Sequence, residues 1–211
     1  MLATGRKTED KMKLVKYPRT PHLPWSLGAT PDDERMIDTS VFEGHHVVVT
    51  EKLDGECTTI HTGGCFARSL DSGSHPSRTY VKALAGWFLH EIPPGDLILG
   101  ENCYAKHSIF YDALPDYFLC FGLRRLTYGD VFLGWGETKD TAKIFGLELV
   151  PVLYEGMWDE LKIKACFTGK SQYGGEQEGY VVRLADWFYA NDFSKSVAKY
   201  VRARHVQTDE H

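Results

Sequence analysis

The spacing of apolar and polar positions changes several times along this chain. His46 to Leu53 is valine-rich and reads as a buried strand, and Cys57 to Thr62 alternates β-branched with polar positions. Asp54-Gly55 lies between them and predicts a hairpin turn. Cys65 to Leu70 reads as a third short strand, and Ser72 to Arg78 as a Gly/Ser/Pro loop. From Ser77 the period lengthens. Tyr80, Val81, Leu84, Trp87 and Phe88 fall on one helical face, and Pro93-Pro94-Gly95 ends that element. Leu97 to Cys103 and Tyr117 to Leu123 return to a strand pattern. Trp135 to Phe145 and Trp158 to Phe167 predict short helices, and Gly169 to Gly175 a polar loop. Gly179 to Leu184 and Ala198 to Val201 close the series as strands. Hairpin-linked strands with a few helices make an α+β domain, with antiparallel sheets and flanking helices.

The segment from Tyr17 to Asp33 holds four prolines and is expected to be extended and irregular. A polar extension over 1–11, a main domain over 12–206 and a tail over 207–211 are expected. The chain has 211 residues, 43% of them hydrophobic and 25% charged, which fits one globular domain and excludes a disordered, collagenous or coiled-coil organisation. No apolar run approaches the roughly 18 residues of a membrane span, and the basic N-terminus has no apolar signal core. Five cysteines without a C-x-x-C pair argue for a reducing, cytoplasmic setting over a disulfide or zinc framework. The net charge of −5 is unlike that of a purely electrostatic nucleic-acid binder. The distribution differs from the sum, because both ends are basic. Arg6, Lys7, Lys11, Lys13, Lys16 and Arg19 lie near the start, and Lys195, Lys199, Arg202 and Arg204 near the end.

Four strand ends carry residues able to do chemistry. Glu51-Lys52-Leu53-Asp54-Gly55 places a lysine beside a tight turn. On its own such a segment is most often a solvated strand end. A lysine acts as a nucleophile only when its amine is neutral, which needs burial or cationic neighbours. Gly100-Glu101-Asn102 and Glu178-Gly179-Tyr180 each put a glutamate at the end of an apolar strand, and Lys199-Tyr200-Val201-Arg202 is a short basic strand. His107 has no second histidine at metal-ligand spacing, and the adjacent pair His45-His46 points to opposite faces.

The order of these segments resembles the covalent nucleotidyltransferases, the ATP-dependent DNA and RNA ligases and mRNA capping enzymes. Lys52-Leu53-Asp54-Gly55 is similar to the nucleotidyl-lysine motif, and Ala67-Arg68-Ser69 to the arginine-bearing strand after it. Gly100-Glu101-Asn102 resembles the third motif, Tyr117 to Gly122 with Phe121 the nucleotide-stacking strand, Glu178 to Val182 the fourth motif and Lys199 the fifth. The stretch Gly100 to Phe121 resembles the nick-sealing branch of RNA ligases. The likeness runs from about Lys16 to Val206.

The resemblance implies the ligase/capping-enzyme (ATP-grasp-like) nucleotidyltransferase domain. It also implies a three-step reaction: Lys52 takes AMP from ATP, AMP moves to an RNA 5′-phosphate, and a 3′-hydroxyl seals the end. ATP and Mg²⁺, with Mn²⁺ as an alternative, are the implied cofactors. Lys52 and Lys199 are the implied catalytic residues, with Lys199 lowering the pKa of Lys52. Glu51, Arg68, Glu101, Phe121 and Glu178 join them in nucleotide binding. Phe121 is to stack on adenine, Glu101 to bind ribose and Arg68 a phosphate. Glu178 is to hold the metal, and Glu51 to serve adenine through its backbone with an exposed carboxylate. The second lysine usual in the last motif is replaced by Val201, so Lys195 or Arg202 is expected to supply that phosphate contact. Only nine residues follow Arg202, too few for the OB domain of capping enzymes and DNA ligases. RNA ends are the implied partners, with a protein that holds ends together as a further one and no membrane. A capping guanylyltransferase, a DNA ligase core and a nucleotide-binding regulator without turnover remain the alternatives.

Overall fold

The computed structural model describes residues 14–70, 73 and 75–205, so the expected boundaries at 11/12 and 206/207 lie outside the described residues. Two antiparallel sheets form the core. The first has the order β11 (Val197–Val201), β9 (Gly179–Leu184), β1 (His46–Lys52), β8 (Val152–Met157). The second has the order β10 (Phe188–Tyr189), β6 (Val131–Phe132), β5 (Phe118–Arg125), β4 (Asp96–Asn102), β2 (Glu56–His61), β3 (Gly64–Ala67). The two-residue β7 (Glu148–Leu149) adds to β5 in parallel. The helices are α1 (Thr79–Ala85), α2 (Trp135–Phe145), α3 (Glu160–Ala165) and α4 (Phe193–Ser196). The α+β class and the antiparallel pairing are as the sequence pattern predicts.

The valine run explains where the sheets meet. Val47, Val48 and Val49 are all fully buried, so β1 is covered on both faces. Val47 and Val49 pack with Leu23, Phe42, Ile163 and Tyr180 on one side. Val48 turns the other way, onto Leu119, Trp135 and Val150, and joins the two sheets. The far face of the second sheet is closed by α1 and α2 through Ile60, Ile98 and Phe118 against Val81, Ala85 and Ala142. Gly146, in the left-handed region at φ 64°, caps α2. The side chain of Asp159 caps α3 by accepting from Lys162 N at 3.2 Å.

Three local expectations are corrected. Asp54-Gly55 is not a hairpin turn: β1 and β2 belong to different sheets, and the turn is the crossover between them. Gly55 answers a steric demand there, since a Cβ would meet the carbonyl oxygen of Asn102 at 2.7 Å. The helix at Tyr80 stops at Ala85, and Trp87 is 83% exposed instead of joining the apolar face. The strand β8, which flanks β1, lies in a stretch for which the sequence predicts no element. Its half-exposed edge carries Glu155 and Gly156 and lacks an apolar alternation.

Candidate active site

Register brings the chemistry together. Lys52 is the last residue of β1 and pairs with Gly179, so Glu178 stands beside it. Gly179 also pairs with Val201 of β11, and a Cβ on it would strike the carbonyl oxygen of Tyr200. A side chain there would push β9 and β11 apart and unseat the neighbouring Glu178. Lys52 Nζ lies 2.6 Å from Glu178 Oε1 and 2.7 Å from Oε2. Lys199, two residues before Val201, projects into the same space. The result is a cleft of about 1190 Å³ between the sheets, lined by Glu51, Lys52, Arg68, Glu101, Phe121, Glu178 and Lys199 among others. All seven of the residues expected to bind nucleotide therefore line one cavity.

The electrostatics differ from expectation in one respect. Lys52 is not discharged by Lys199. Burial favours the neutral amine, but Glu178, Glu101 and Asp54 outweigh it and hold the Lys52 pKa above its ordinary value. Lys199 carries the depression instead, first through burial and then through Lys52. Glu101 is pushed up to about 8, mainly by burial and further by Glu178, although Lys52 opposes the shift. Glu101 Oε1 accepts from Gly55 N at 3.1 Å, which ties the end of β4 to the crossover turn.

Glu51 is a second correction. Its carboxylate is 2% exposed rather than solvated, and Oε2 accepts from Gln172 N at 3.0 Å. It anchors the loop after α3. Its backbone N–H is already used, donating to Pro151 O at 2.8 Å. Lys195 and Arg202 are a third. Lys195 is ion-paired with Asp192 at 3.4 Å with its side chain 70% exposed, and Arg202 binds Glu176 at 2.6 Å. Neither lines the cleft. Besides Lys52 and Lys199, the cationic side chains that line it are Lys16, Arg19, Arg68 and Arg183. Residues two apart on a strand share a face and neighbours do not, so Arg202 cannot replace a lysine at Val201.

Three contributors carry no signal in the sequence. Tyr17 sits edge-on to Phe121 with ring centroids 5.4 Å apart, and also meets Phe132 and Phe193. Arg68 Nε donates to Tyr17 O at 3.2 Å, so the N-terminal segment forms a wall of the cleft beside Phe121. His22 is buried under Lys199, and burial followed by that charge lowers its pKa to about 4. His205 places Nε2 3.3 Å from Glu178 Oε1 and 3.6 Å from Asp54 Oδ1. Nothing in the local pattern at His205 marks it, because it reaches the site only through the turn after β11. His107 lines the mouth of the cleft.

A divalent cation fits this donor set. Glu178 is 1% exposed, and its Oε1 accepts no well-formed hydrogen bond despite the nearby Lys52. Ligand atoms of Asp54, Glu178 and His205 all lie within 4.8 Å of one another. Hard divalent ions take such carboxylate oxygens and keep several waters.

The sequence model of the RNA ligase family matches residues 45–201, and the chain belongs to that family. Among solved structures, a point mutant of the Naegleria gruberi RNA ligase in its apo form is similar with a TM-score of 0.54 and 18% identity, over 78% of this chain and 51% of that one. A further mutant of that enzyme, with ATP and Mn, has a TM-score of 0.52 and 17% identity over 90% of this chain and 61% of its own. A third, with AMP and Mn, has 0.52 and 18% over 87% and 60%. This chain thus spans between half and two thirds of the length of those relatives. No curated protein matches it. Among the described residues, no helix is long and apolar enough to cross a membrane.

Proposed function

We propose that this chain is the adenylation domain of an ATP-dependent RNA ligase, spanning about residues 12–206 and belonging to the nick-sealing branch. The observation that carries the reading is the contact of half-buried Lys52 with buried Glu178 at 2.6 Å, inside a cleft that also holds Glu101, Phe121 and Lys199. In the first step the Lys52 amine attacks the α-phosphorus of ATP, a P–N bond forms, and pyrophosphate departs with the broken P–O bond. In the second, a 5′-phosphate oxygen of RNA displaces Lys52 from AMP. In the third, a 3′-hydroxyl attacks the activated phosphate and releases AMP.

The residues serve these steps by position. Lys52 must give up a proton before it attacks, and the Glu178 oxygens are the acceptors in reach. Lys199 points a cation at the α-phosphate and resists recharging of Lys52. Phe121 offers its ring to adenine, with Tyr17 and Val181 as neighbouring walls. Glu101, neutral or charged, accepts from ribose hydroxyls, and Arg68 grips a phosphate with its fork of donors. Glu178, with Asp54, would hold a Mg²⁺ or Mn²⁺ ion, which neutralises phosphate charge when bound. RNA repair in the cytoplasm, assisted by a protein that holds the ends, belongs to the same reading.

The test is incubation with α-labelled ATP or GTP, followed by a denaturing gel and intact-mass analysis. A covalent AMP adduct is expected on the parent protein and not on Lys52→Ala. An undiminished adduct on that variant would end the assignment, and a GMP adduct would favour a capping enzyme.

A further inference from the structure

A second cavity of about 510 Å³ opens beside the first, and Asp54 lines both. Its other walls come from the segment between β4 and β5 and from Tyr80 of α1. Three aromatic side chains there are left in solvent: Tyr104 is 50%, Phe110 62% and Tyr117 45% exposed. Tyr104 stacks nearly parallel on Tyr80, at 10° with centroids 5.9 Å apart, so its ring is supported from one side while half of the residue stays in solvent. Tyr117 meets both rings edge-on at 5.3 Å. Tyr80 Oη donates to Asp116 at 2.9 Å, which fixes the supporting ring.

This segment is pinned in place. Ser108 Oγ and Ile109 N donate to Asp54 Oδ2 at 2.6 and 2.8 Å, and Asp54 N donates to Tyr111 Oη at 2.8 Å. Cys103 N donates to Tyr117 O at 2.8 Å, closing the segment at its base. The ring cluster is therefore rigidly tied to the turn that carries Lys52. Rings held open by a built frame, rather than folded inward, mark a surface prepared for a flat apolar ligand.

We infer that this pocket receives the unpaired terminal nucleobase of a single-stranded RNA end, a substrate additional to the paired nick, an inference that rests on the RNA-ligase reading. Its volume accommodates one nucleoside, and its shared wall at Asp54 places such a base next to the reacting phosphate. Asp112 and Asp116 line it, which disfavours phosphate inside and leaves the base as the occupant. The cation is at the rim, where Lys106 Nζ stands 5.8 Å from the Phe110 ring centroid and can meet the backbone phosphate of the same nucleotide. Stacking on open rings is tolerant of sequence, as an end-joining enzyme requires. Bases paired within a duplex are not free to enter.

The experiment compares the parent protein with Tyr104→Ala/Phe110→Ala and with Tyr104→Trp. Neither position lines the nucleotide cleft. Binding is read by the fluorescence of single-stranded 5′-phosphorylated RNA carrying 2-aminopurine at its 5′ end, which stacking quenches. AMP transfer is read from preformed adduct to that RNA and to a fully paired nick. Alanine at both positions should weaken single-strand binding and transfer about 10- to 100-fold. Transfer at the nick should stay within about threefold, and Tyr104→Trp should keep both. Unchanged single-strand binding, or equal losses at nick and single strand, would overturn the inference. Adduct formation from ATP alone is measured in parallel. Its absence in the parent would defeat the ligase reading itself, while the fluorescence still decides whether the pocket takes a base.

Discussion

Lys52 and Glu178 lie 126 residues apart in the sequence and form a partly buried ion pair with a hydrogen bond of 2.7 Å. Lys52 is thus at rest as an ammonium. Burial alone would discharge it, and the carboxylates around it prevent that. In the ligand-free protein Lys52 should react slowly with acetylating reagents at pH 8. Glu178→Gln removes the strongest support for the charge and should speed that labelling, about tenfold for each unit by which the pKa falls. Peptide mass spectrometry after brief acetylation measures it. Equal labelling in both proteins would mean that the ion pair does not govern the amine.

Glu101 gives a prediction about stability and pH. An unfolded glutamate titrates near about 4.3, whereas the folded one keeps its proton up to about 8. Between these values the native state binds more protons than the unfolded state, so this group lowers stability as pH rises through the window and not beyond it. Glu101→Gln removes the term. Its Tm should exceed that of the parent at pH 8, and the gap should shrink steadily as pH falls towards about 4. A pH-independent gap would contradict the assignment.

The cations separate cleanly. Lys199→Ala should slow adduct formation by about 10²–10³, the usual loss on removing a group aimed at developing charge. Lys195 stands outside the cleft, and Lys195→Ala should leave the rate within about twofold. Single-turnover formation of labelled protein distinguishes them, and equal rates for the two variants would remove Lys199 from the catalytic step.

Tyr17 links the N-terminal segment to three rings of the cleft. Tyr17→Ala should cost about 2–4 kcal/mol in urea unfolding, from lost burial and edge contacts. It should also weaken ATP binding by stripping support from Phe121. Tyr17→Phe should restore both. A variant that binds ATP normally would show that Phe121 is held by its own strand.

Much of this site is legible in the sequence because strand ends announce themselves. Lys52, Glu101 and Glu178 each terminate or precede an apolar run, and all three reach the cleft. The α2 and β9 limits follow directly from apolar period and glycine placement. What the sequence hides is set by pairing across distance. Asp54-Gly55 has the local chemistry of a hairpin, yet the valines before it are buried on both faces and need partners from β8 and β9. Tyr17 and His205 lie in irregular segments, so no periodicity marks them. The burial of Glu51 depends on the loop at Gln172, which is remote in the chain.

The central place of β1 also has a consequence for how the protein is made. Its neighbours, 152–157 and 179–184, are synthesised about a hundred residues or more after it, and Glu178, the partner of Lys52, is 126 residues from that lysine. During translation the segment Val47-Val48-Val49 therefore waits as an exposed, β-prone, uncharged stretch. Non-local pairing of this kind is slow, because the loop must close before the contacts reward it. Lys52 leaves the ribosome well before β9 and finds its place only when β9 arrives. On the proposed reading, a nascent chain can load no nucleotide until β9 has joined the sheet.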